Sequence, residues 1–476
     1  MSRAVIVGAG LGGVLAAAAM SPLVDEVIIL EHDDLPADGP EHRKGLPQGR
    51  HAHLLMAGGL AAMEALVPAG SITGQLLDNG AREISLSSGM VTLSSEGWLR
   101  RWRSTHHHML TCTRALLDWA VRTAVLEGSH NVTIRQAHVL HLLGSARRVG
   151  GVVVDTGSAP ENLDADFVVD ATGRGSRVLH WLAQLGITGV EEKNVDSGLV
   201  NATRIYRTPA GAGNFPLTMV QANPYAGRPG RSAVIVPIEG DRWMVSLAGT
   251  RGGEPPADPD GFLAYTLALP HPIVGRLISG AEPLTDIFLS HSTSNSRRHL
   301  EKARDWPDGL VVLGDALATF NPAYGQGMSV AALGALELRR QIENADLDAT
   351  GLARRVQRRI ARHVTAAWNV AVSQDVLYPG VRGGRQTAAD RVAARYTRRL
   401  TRAATGSLPA ATALWEVTGL TAKPSRVLRP GTLLATLGGS PLPPLTEPPL
   451  TPAERAILAA LDTTRRKDTP SSTPAA

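Results

Sequence analysis

Short apolar runs alternate along this chain with glycine turns and stretches of helical periodicity. Ala4–Val7 is an uninterrupted apolar run of the kind that fills a buried strand. Leu11 to Met20 is helical in composition, Ser21–Pro22 breaks it, and Glu26–Leu30 is a second β-branched run ending at Glu31. That order predicts a βαβ unit with a right-handed crossover. The polar, Pro- and Gly-bearing stretch from Asp33 to Gln48 predicts a loop, which runs through Arg50-His51-Ala52-His53 into a helix over 54–66.

Farther on, alternation over 82–102 predicts strands, with Gly89 and Gly97 at turns. Residues 112–127 read as a helix with Leu116, Ala120 and Ala124 on one stripe. Val132–Leu143 and Val149–Asp155, joined by Gly144–Arg148, predict a hairpin, and Phe167–Asp170 another buried strand. Strands dominate from about 195 to 300, the clearest being Leu199–Tyr206, Ala233–Ile238 and Arg242–Leu247. A tight Glu239-Gly240-Asp241 turn joins the last two. A buried parallel-type strand returns at Leu310–Leu313, and a helix over 327–342 follows. The remainder reads as helical to about 405 and Pro-rich thereafter, with no internal repeat.

Composition narrows the class. A chain of 476 residues exceeds what one core supports, so two or three domains are expected. Apolar content of 43% with 19% charge fits a globular protein, and 4% aromatics leaves Ala, Val, Leu and Ile to build the core. The formal charge of +5 comes with no recognisable reader motif, so no nucleic-acid partner is expected. Cys112 is the single cysteine, which points to a reducing, cytoplasmic setting. The apolar start has a crude likeness to a signal peptide, but Gly8, Gly10, Gly12 and Gly13 interrupt it. No stretch approaches the ~20 apolar residues of a membrane span.

The chemistry begins at Gly8-Ala9-Gly10-Leu11-Gly12-Gly13, a G-x-G-x-x-G between strand and helix. Gly8 makes the tight turn, Gly10 lets the backbone approach a pyrophosphate, and Gly13 lets helix pack on strand. The helix start then offers free N–H groups and partial positive charge to phosphates. Glu31 ends the second strand, where a carboxylate accepts ribose hydroxyls and repels a 2′-phosphate. The combination predicts a dinucleotide site, the other reading being a glycine-rich packing turn.

Leu310-Val311-Val312-Leu313-Gly314-Asp315-Ala316, followed by Asn321-Pro322 and Gly325-Gln326-Gly327, resembles the second FAD segment of flavoprotein hydroxylases. Asp315, at a strand's C-terminal end, is placed to accept a ribitol hydroxyl. Gly325 to Gly327 open a helix whose start would face the pyrophosphate and the electron-rich edge of the isoalloxazine. Arg114, with Leu117, resembles the Arg-x-x-Leu helix whose arginine reaches FAD phosphates.

Together these motifs resemble the single-component (group A) flavin monooxygenases of p-hydroxybenzoate-hydroxylase-like fold. The closer likeness is to polyether-antibiotic epoxidases of the lasalocid and monensin type. It is carried by Arg43–His53, by Asp196-Ser197-Gly198-Leu199 through Arg204, by Thr250-Arg251-Gly252-Gly253-Glu254 and by Phe320 to Gly325. The resemblance implies an α/β protein. Its Rossmann-type FAD-binding domain would comprise 1–80, 108–185 and 300–345, with a mixed or antiparallel β-rich substrate domain over 81–107 and 190–299. A C-terminal helical region over 346–464 and a disordered tail over 465–476 would complete it.

The implied activity is transfer of oxygen from a flavin C4a-hydroperoxide to alkenes of an apolar polyene or polyketide, with O₂ as co-substrate. Such chemistry is the cofactor's and needs no enzymic base, so no catalytic side chain is assigned and no metal is expected. Arg43 and Arg50 are candidates for phosphate or the flavin edge. His51 and His53 alternate, so an extended segment would turn only one of them to the cofactor. The His106-His107-His108 run cannot place three ligands on one ion from an extended segment.

Three departures matter. Ala318 stands where histidine is usual and Ser329 where asparagine is usual. In Asp170-Ala171-Thr172-Gly173, Thr172 replaces the aspartate of a motif tied to NADPH use, so either NADPH or a separate flavin reductase is the electron source. An aromatic or aliphatic hydroxylase is the alternative reading, and a non-catalytic dinucleotide scaffold a further one. A halogenase is disfavoured because Trp98 and Trp102 have the wrong spacing for its Trp-x-Trp motif. Finally, Leu352, Val356, Ile360, Val364 and Trp368 form an apolar stripe, with Arg354, Arg355, Arg358, Arg359 and Arg362 off it. Those arginines read as a solvated face with acidic neighbours, or as a dock for an acidic carrier protein or anionic headgroups.

Overall fold

The computed structural model describes residues 1–468 apart from 37–38, 68–70, 105–106, 158 and 292. His106 of the histidine run and the tail beyond Asp468 lie outside the described residues.

The βαβ pattern at the start builds the first layer. Arg3–Val7 pairs in parallel with Glu26–Glu31 on one side and Phe167–Asp170 on the other. Val132–Gln136 and Leu310–Val312 complete a five-stranded all-parallel sheet. Its strands are nearly continuous apolar runs because helices cover them. The helix Leu11–Met20 is buried at nine of its ten residues, and its alanines let it lie between Arg114–Glu127 and Gly327–Ile342. A three-stranded antiparallel sheet, His138–Gly144, Val149–Asp155 and Glu161–Asp164, packs against the parallel one.

The second layer is a mixed seven-stranded sheet. Its order is Phe288–Ser290, Val200–Arg207, Arg242–Gly249, Arg231–Ile238, Leu217–Val220, Met90–Ser94 and Gly97–Trp98. Side chains alternate with the period of two expected of strands. Ala202, Tyr206, Ile235, Trp243 and Val245 pack against the helices Pro259–Leu267 and Ile273–Ile278. Their neighbours Ile205, Val234, Val236 and Met244 form a separate apolar face with Met109 and Leu217.

Two expectations are corrected and a third gains detail. The strand predicted over 132–143 is two strands: Val132–Gln136 joins the parallel sheet, and only His138–Gly144 makes the hairpin. The break falls at Ala137, whose N–H bonds the Glu31 carbonyl and turns the chain out of the sheet. The helix expected from 54 starts at Ala57, because Leu54–Leu55 pairs with His108–Thr111. The Pro-rich stretch beyond 405 holds the helices Leu408–Thr418, Pro430–Gly438 and Pro452–Asp468, with prolines in the opening turns, where a missing N–H costs nothing. Among the described residues no helix is long and apolar enough to cross a membrane.

Candidate functional site

The glycine turn is built as its spacing requires. Gly8 has φ +98°, and a Cβ there would lie 2.8 Å from the Ala171 carbonyl oxygen. A Cβ on Gly13 would stand 1.8 Å from the Gly8 oxygen, so only glycine lets this helix meet the strand. Gly10 differs: a Cβ there would meet nothing within 4 Å. It opens the helix Leu11–Met20 without a side-chain cap, leaving the first N–H groups of the helix without an intrahelical or side-chain partner.

The distant segment arrives beside it. A Cβ on Gly12 would come within 4.0 Å of the Gly314 Cα and 3.9 Å of the Ala331 Cβ. Asp315 follows in the turn Gly314–Ala316 and lies 4.0 Å from where a Gly327 Cβ would stand. Its carboxylate accepts no hydrogen bond from the described residues. Burial pushes its pKa up, and the guanidiniums of Arg174 and Arg114 oppose that rise. The helix Gly327–Ile342 also starts without a side-chain cap. Gln326 is buried with its Oε1 unpartnered, Gly325 needs its φ of +64°, and Pro322 is exposed.

Arginines surround this pair of helix starts. Arg43 reaches over the glycine turn, giving Nη1 to the Ala9 carbonyl and Nη2 to Glu31, both at 2.8 Å. Glu31 also accepts the N–H groups of Ala9, His32 and Asp33. It therefore braces the turn as well as standing where the sequence placed it. Burial works to raise its pKa, but these bonds and Arg43 hold it below its ordinary value.

Arg114 opens its helix next to the Thr113 cap and donates Nε to Asp118 at 2.7 Å. One turn farther, Arg122 donates to the Pro36 carbonyl. Its pKa is lowered by burial and by Arg43 nearby. Arg122 is absent from the sequence-derived set. Its signal was the i, i+4, i+8 series Arg114, Asp118, Arg122, all on a buried helical face. Arg50 stands apart from this group, exposed, with its guanidinium 4.5 Å from the Phe288 ring.

The histidines divide. His51 is buried and its Nδ1 meets Thr203 Oγ1 at 2.8 Å, on the apolar face of the large sheet. His53 turns its Nδ1 back to the His51 carbonyl at 2.8 Å. Burial lowers the His51 pKa to about 4. Burial and Arg114 lower that of His53 to about 3, so both rings are neutral near pH 7.

A further residue was missed altogether. Asp375 ends the helix Leu352–Asp375 and is 1% exposed. It accepts Nδ2 of Asn321 at 3.0 Å, Nδ2 of Asn295 at 2.6 Å and the Tyr324 hydroxyl at 2.7 Å. Asn321 meanwhile caps the turn Pro322–Tyr324, which leads to Gly325–Gly327. Burial raises the Asp375 pKa against the pull of these bonds. An apolar stripe predicted the helix, but nothing local marked its last residue.

Two departures acquire physical causes. Ser329 faces Gly59, whose Cβ would lie 2.3 Å from the serine Oγ, so a larger side chain does not fit between these helices. Thr172 gives its N–H and hydroxyl to Asp170, which is fully buried and also accepts from Ser176. On the C-terminal helix the apolar stripe is buried as predicted. The acidic neighbours expected for the arginines do not pair with them: among the described residues Arg355, Arg358, Arg359 and Arg362 form no ion pair.

No family model matches the chain. Protein Rv3254 of Mycobacterium tuberculosis is 29% identical over 392 residues, 79% of this chain and 80% of that protein. Among solved structures, the flavin-dependent brominase Bmp2 superposes with a TM-score of 0.61 at 14% identity, covering 98% of this chain and 100% of its own. PqsL, a probable FAD-dependent monooxygenase from Pseudomonas aeruginosa, gives 0.58 at 17%, covering 79% and 97%. The fold is that of flavin-dependent monooxygenases and halogenases. The Diels-Alderase PyrE3 of the pyrroindomycin pathway gives 0.58 at 15%, covering 88% and 80%. The flavoprotein fold thus hosts several chemistries, and the site has to choose among them.

Proposed function

We propose that this chain binds FAD and acts as a flavin-dependent monooxygenase, an epoxidase of alkenes in an apolar polyene or polyketide. The observation that carries the reading is the meeting of two uncapped helix starts beside Asp315, a carboxylate with no protein donor among the described residues. A phosphate pair and a ribitol hydroxyl supply what those groups lack. Gly8, Gly10, Gly13, Glu31, Arg43 and Arg114 would hold the adenosine diphosphate half. Asp315, Pro322, Gly325, Gln326 and Gly327 would hold the flavin half, with Arg50 at the sheet edge.

Bound and reduced, FAD would supply the two electrons that activate O₂, one atom of which would pass to the substrate and the other leave as water. The chain's own part is to exclude water and hold the substrate. The half-buried Ile205, Met219 and Val234 on the face beside His51 suit an apolar chain. Arginines without ion-pair partners among the described residues suit a substrate carried on an acidic carrier protein. Electrons would come from NADPH or from a separate flavin reductase, and Thr172 favours the reductase.

Two measurements test this. The purified protein should take up FAD and turn yellow; a protein that stays colourless with excess FAD sinks the whole reading. With a reductant, a polyene and labelled O₂, one labelled oxygen should appear per epoxide. Labelled alcohols instead would move the assignment to a hydroxylase.

A further inference from the structure

The segment Arg50–His53 meets the large sheet at one polar point. Thr203 and Ser246 are directly opposite each other on neighbouring strands, and their hydroxyls are 2.6 Å apart. Around them the same face carries Ile205, Val234, Val236 and Met244. Into this spot goes His51, 6% exposed, with Nδ1 on Thr203 Oγ1 and no partner for Nε2 among the described residues.

Counting protons orients the chain of bonds. The Ala52 N–H donates to Ser246 Oγ at 3.2 Å, so the serine oxygen is already an acceptor. If Ser246 donates to Thr203, and Thr203 donates to His51 Nδ1, every hydroxyl proton has an acceptor. The reverse direction would have Nδ1–H donate to Thr203 and would strand the serine proton. The satisfied direction makes Nδ1 the acceptor and puts the imidazole's only proton on Nε2. Burial agrees, because it keeps the ring from taking a second proton.

We infer that His51 is a specificity-determining residue: a fixed neutral donor whose Nε2–H binds one acceptor oxygen, such as a ketone carbonyl, on an otherwise apolar substrate. The inference deepens the proposed monooxygenase reading by adding a polar handle to its substrate. An N–H with no protein partner is open to a ligand atom in place of water, and an apolar surround gives a matching oxygen discrimination over a hydrocarbon.

The test uses oxidised, FAD-supplemented protein labelled with ¹⁵N-histidine, without reductant. His51, assigned by comparison with His51→Phe, should show a neutral ring protonated at Nε2 alone near pH 7. Thr203→Ser should keep that state, and Thr203→Val should let the proton exchange between nitrogens. Binding of 2-nonanone and 1-nonene is then compared by headspace partitioning. The wild type should prefer the ketone by up to about tenfold, and His51→Phe should lose the preference while still taking up the alkene. Protonation at Nδ1, a doubly protonated ring, or an unchanged preference in His51→Phe would each overturn the inference. FAD uptake, scored separately by visible absorbance, tests the flavin reading alone, since ketone preference in a colourless protein would leave the role of His51 standing.

Discussion

Asp375 Oδ1 accepts Nδ2 of Asn321 at 3.0 Å, which ties the end of a C-terminal helix to the turn that opens the Gly327–Ile342 helix. The same carboxylate holds Asn295 and Tyr324, so one side chain ties its own helix to this turn and to the strand Asn295–Arg298. Asp375→Ala strands three buried donors and should cost about 3 kcal/mol in denaturant unfolding. Asp375→Asn keeps one acceptor and should cost roughly half as much by the same reasoning. Because the turn leads into Gly325–Gly327, FAD affinity should fall in both variants. Full FAD affinity in a folded Asp375→Ala would show that the turn is held by other contacts.

Gly10 and Gly13 should separate binding from folding. Gly13→Ala forces a Cβ to 1.8 Å from a backbone oxygen and should yield little folded protein. Gly10→Ala places its methyl in open space, so the fold should survive with an unchanged unfolding midpoint. If phosphates use that space, FAD should bind on the order of tenfold more weakly, about 1.4 kcal/mol. Titration of FAD by fluorescence quenching in both proteins checks this.

Asp315→Ala removes a carboxylate that burial disfavours and that no protein donor compensates among the described residues. The cofactor-free protein should be as stable as the wild type or more so. FAD should bind more weakly by about 1.5–3 kcal/mol, the usual worth of a hydrogen bond to a charged group. A less stable cofactor-free variant would mean that Asp315 serves the fold instead.

Stability should fall in mild acid because of His51. Its folded pKa of about 4 lies below the ordinary 6.5, so the unfolded chain binds the extra proton first. The contribution is fully present above pH 6.5 and is lost as pH drops towards 4, by about 1.4 kcal/mol per pH unit. Raised carboxylates such as Asp375 act in the opposite sense, so the measurement is a difference. His51→Gln should show a shallower loss between pH 6.5 and 5 than the wild type in denaturant midpoints. Parallel slopes would place the His51 titration at its ordinary value.

The first βαβ unit was legible because every device in it is local. A strand, a glycine turn and a helix lie within one short window, and a Cβ at Gly13 is impossible wherever the rest of the chain goes. The return strand at Leu310–Val312 and the helix Gly327–Ile342 were legible for the same reason, being strongly patterned runs. The period-two alternation likewise exposed the main strands of the large sheet. Where several partners competed, local pattern failed. Residues 132–136 read like their neighbours 138–144, and only the free edge beside Glu26–Glu31 drew them into the parallel sheet.

Side-chain pairing was decided by tertiary structure alone, since hydrogen bonds and burial depend on what arrives from elsewhere in the chain. Arg43 closes on Glu31 and Ala9, Arg50 lies over Phe288, and His51 finds Thr203. Asp375 acquired its role only when Asn295 and Asn321 were brought to it. The sequence by itself determined that two glycine-rich helix starts exist. Folding decided that Gly12 and Gly314 meet, because only a shared parallel sheet sets their two strands one strand apart.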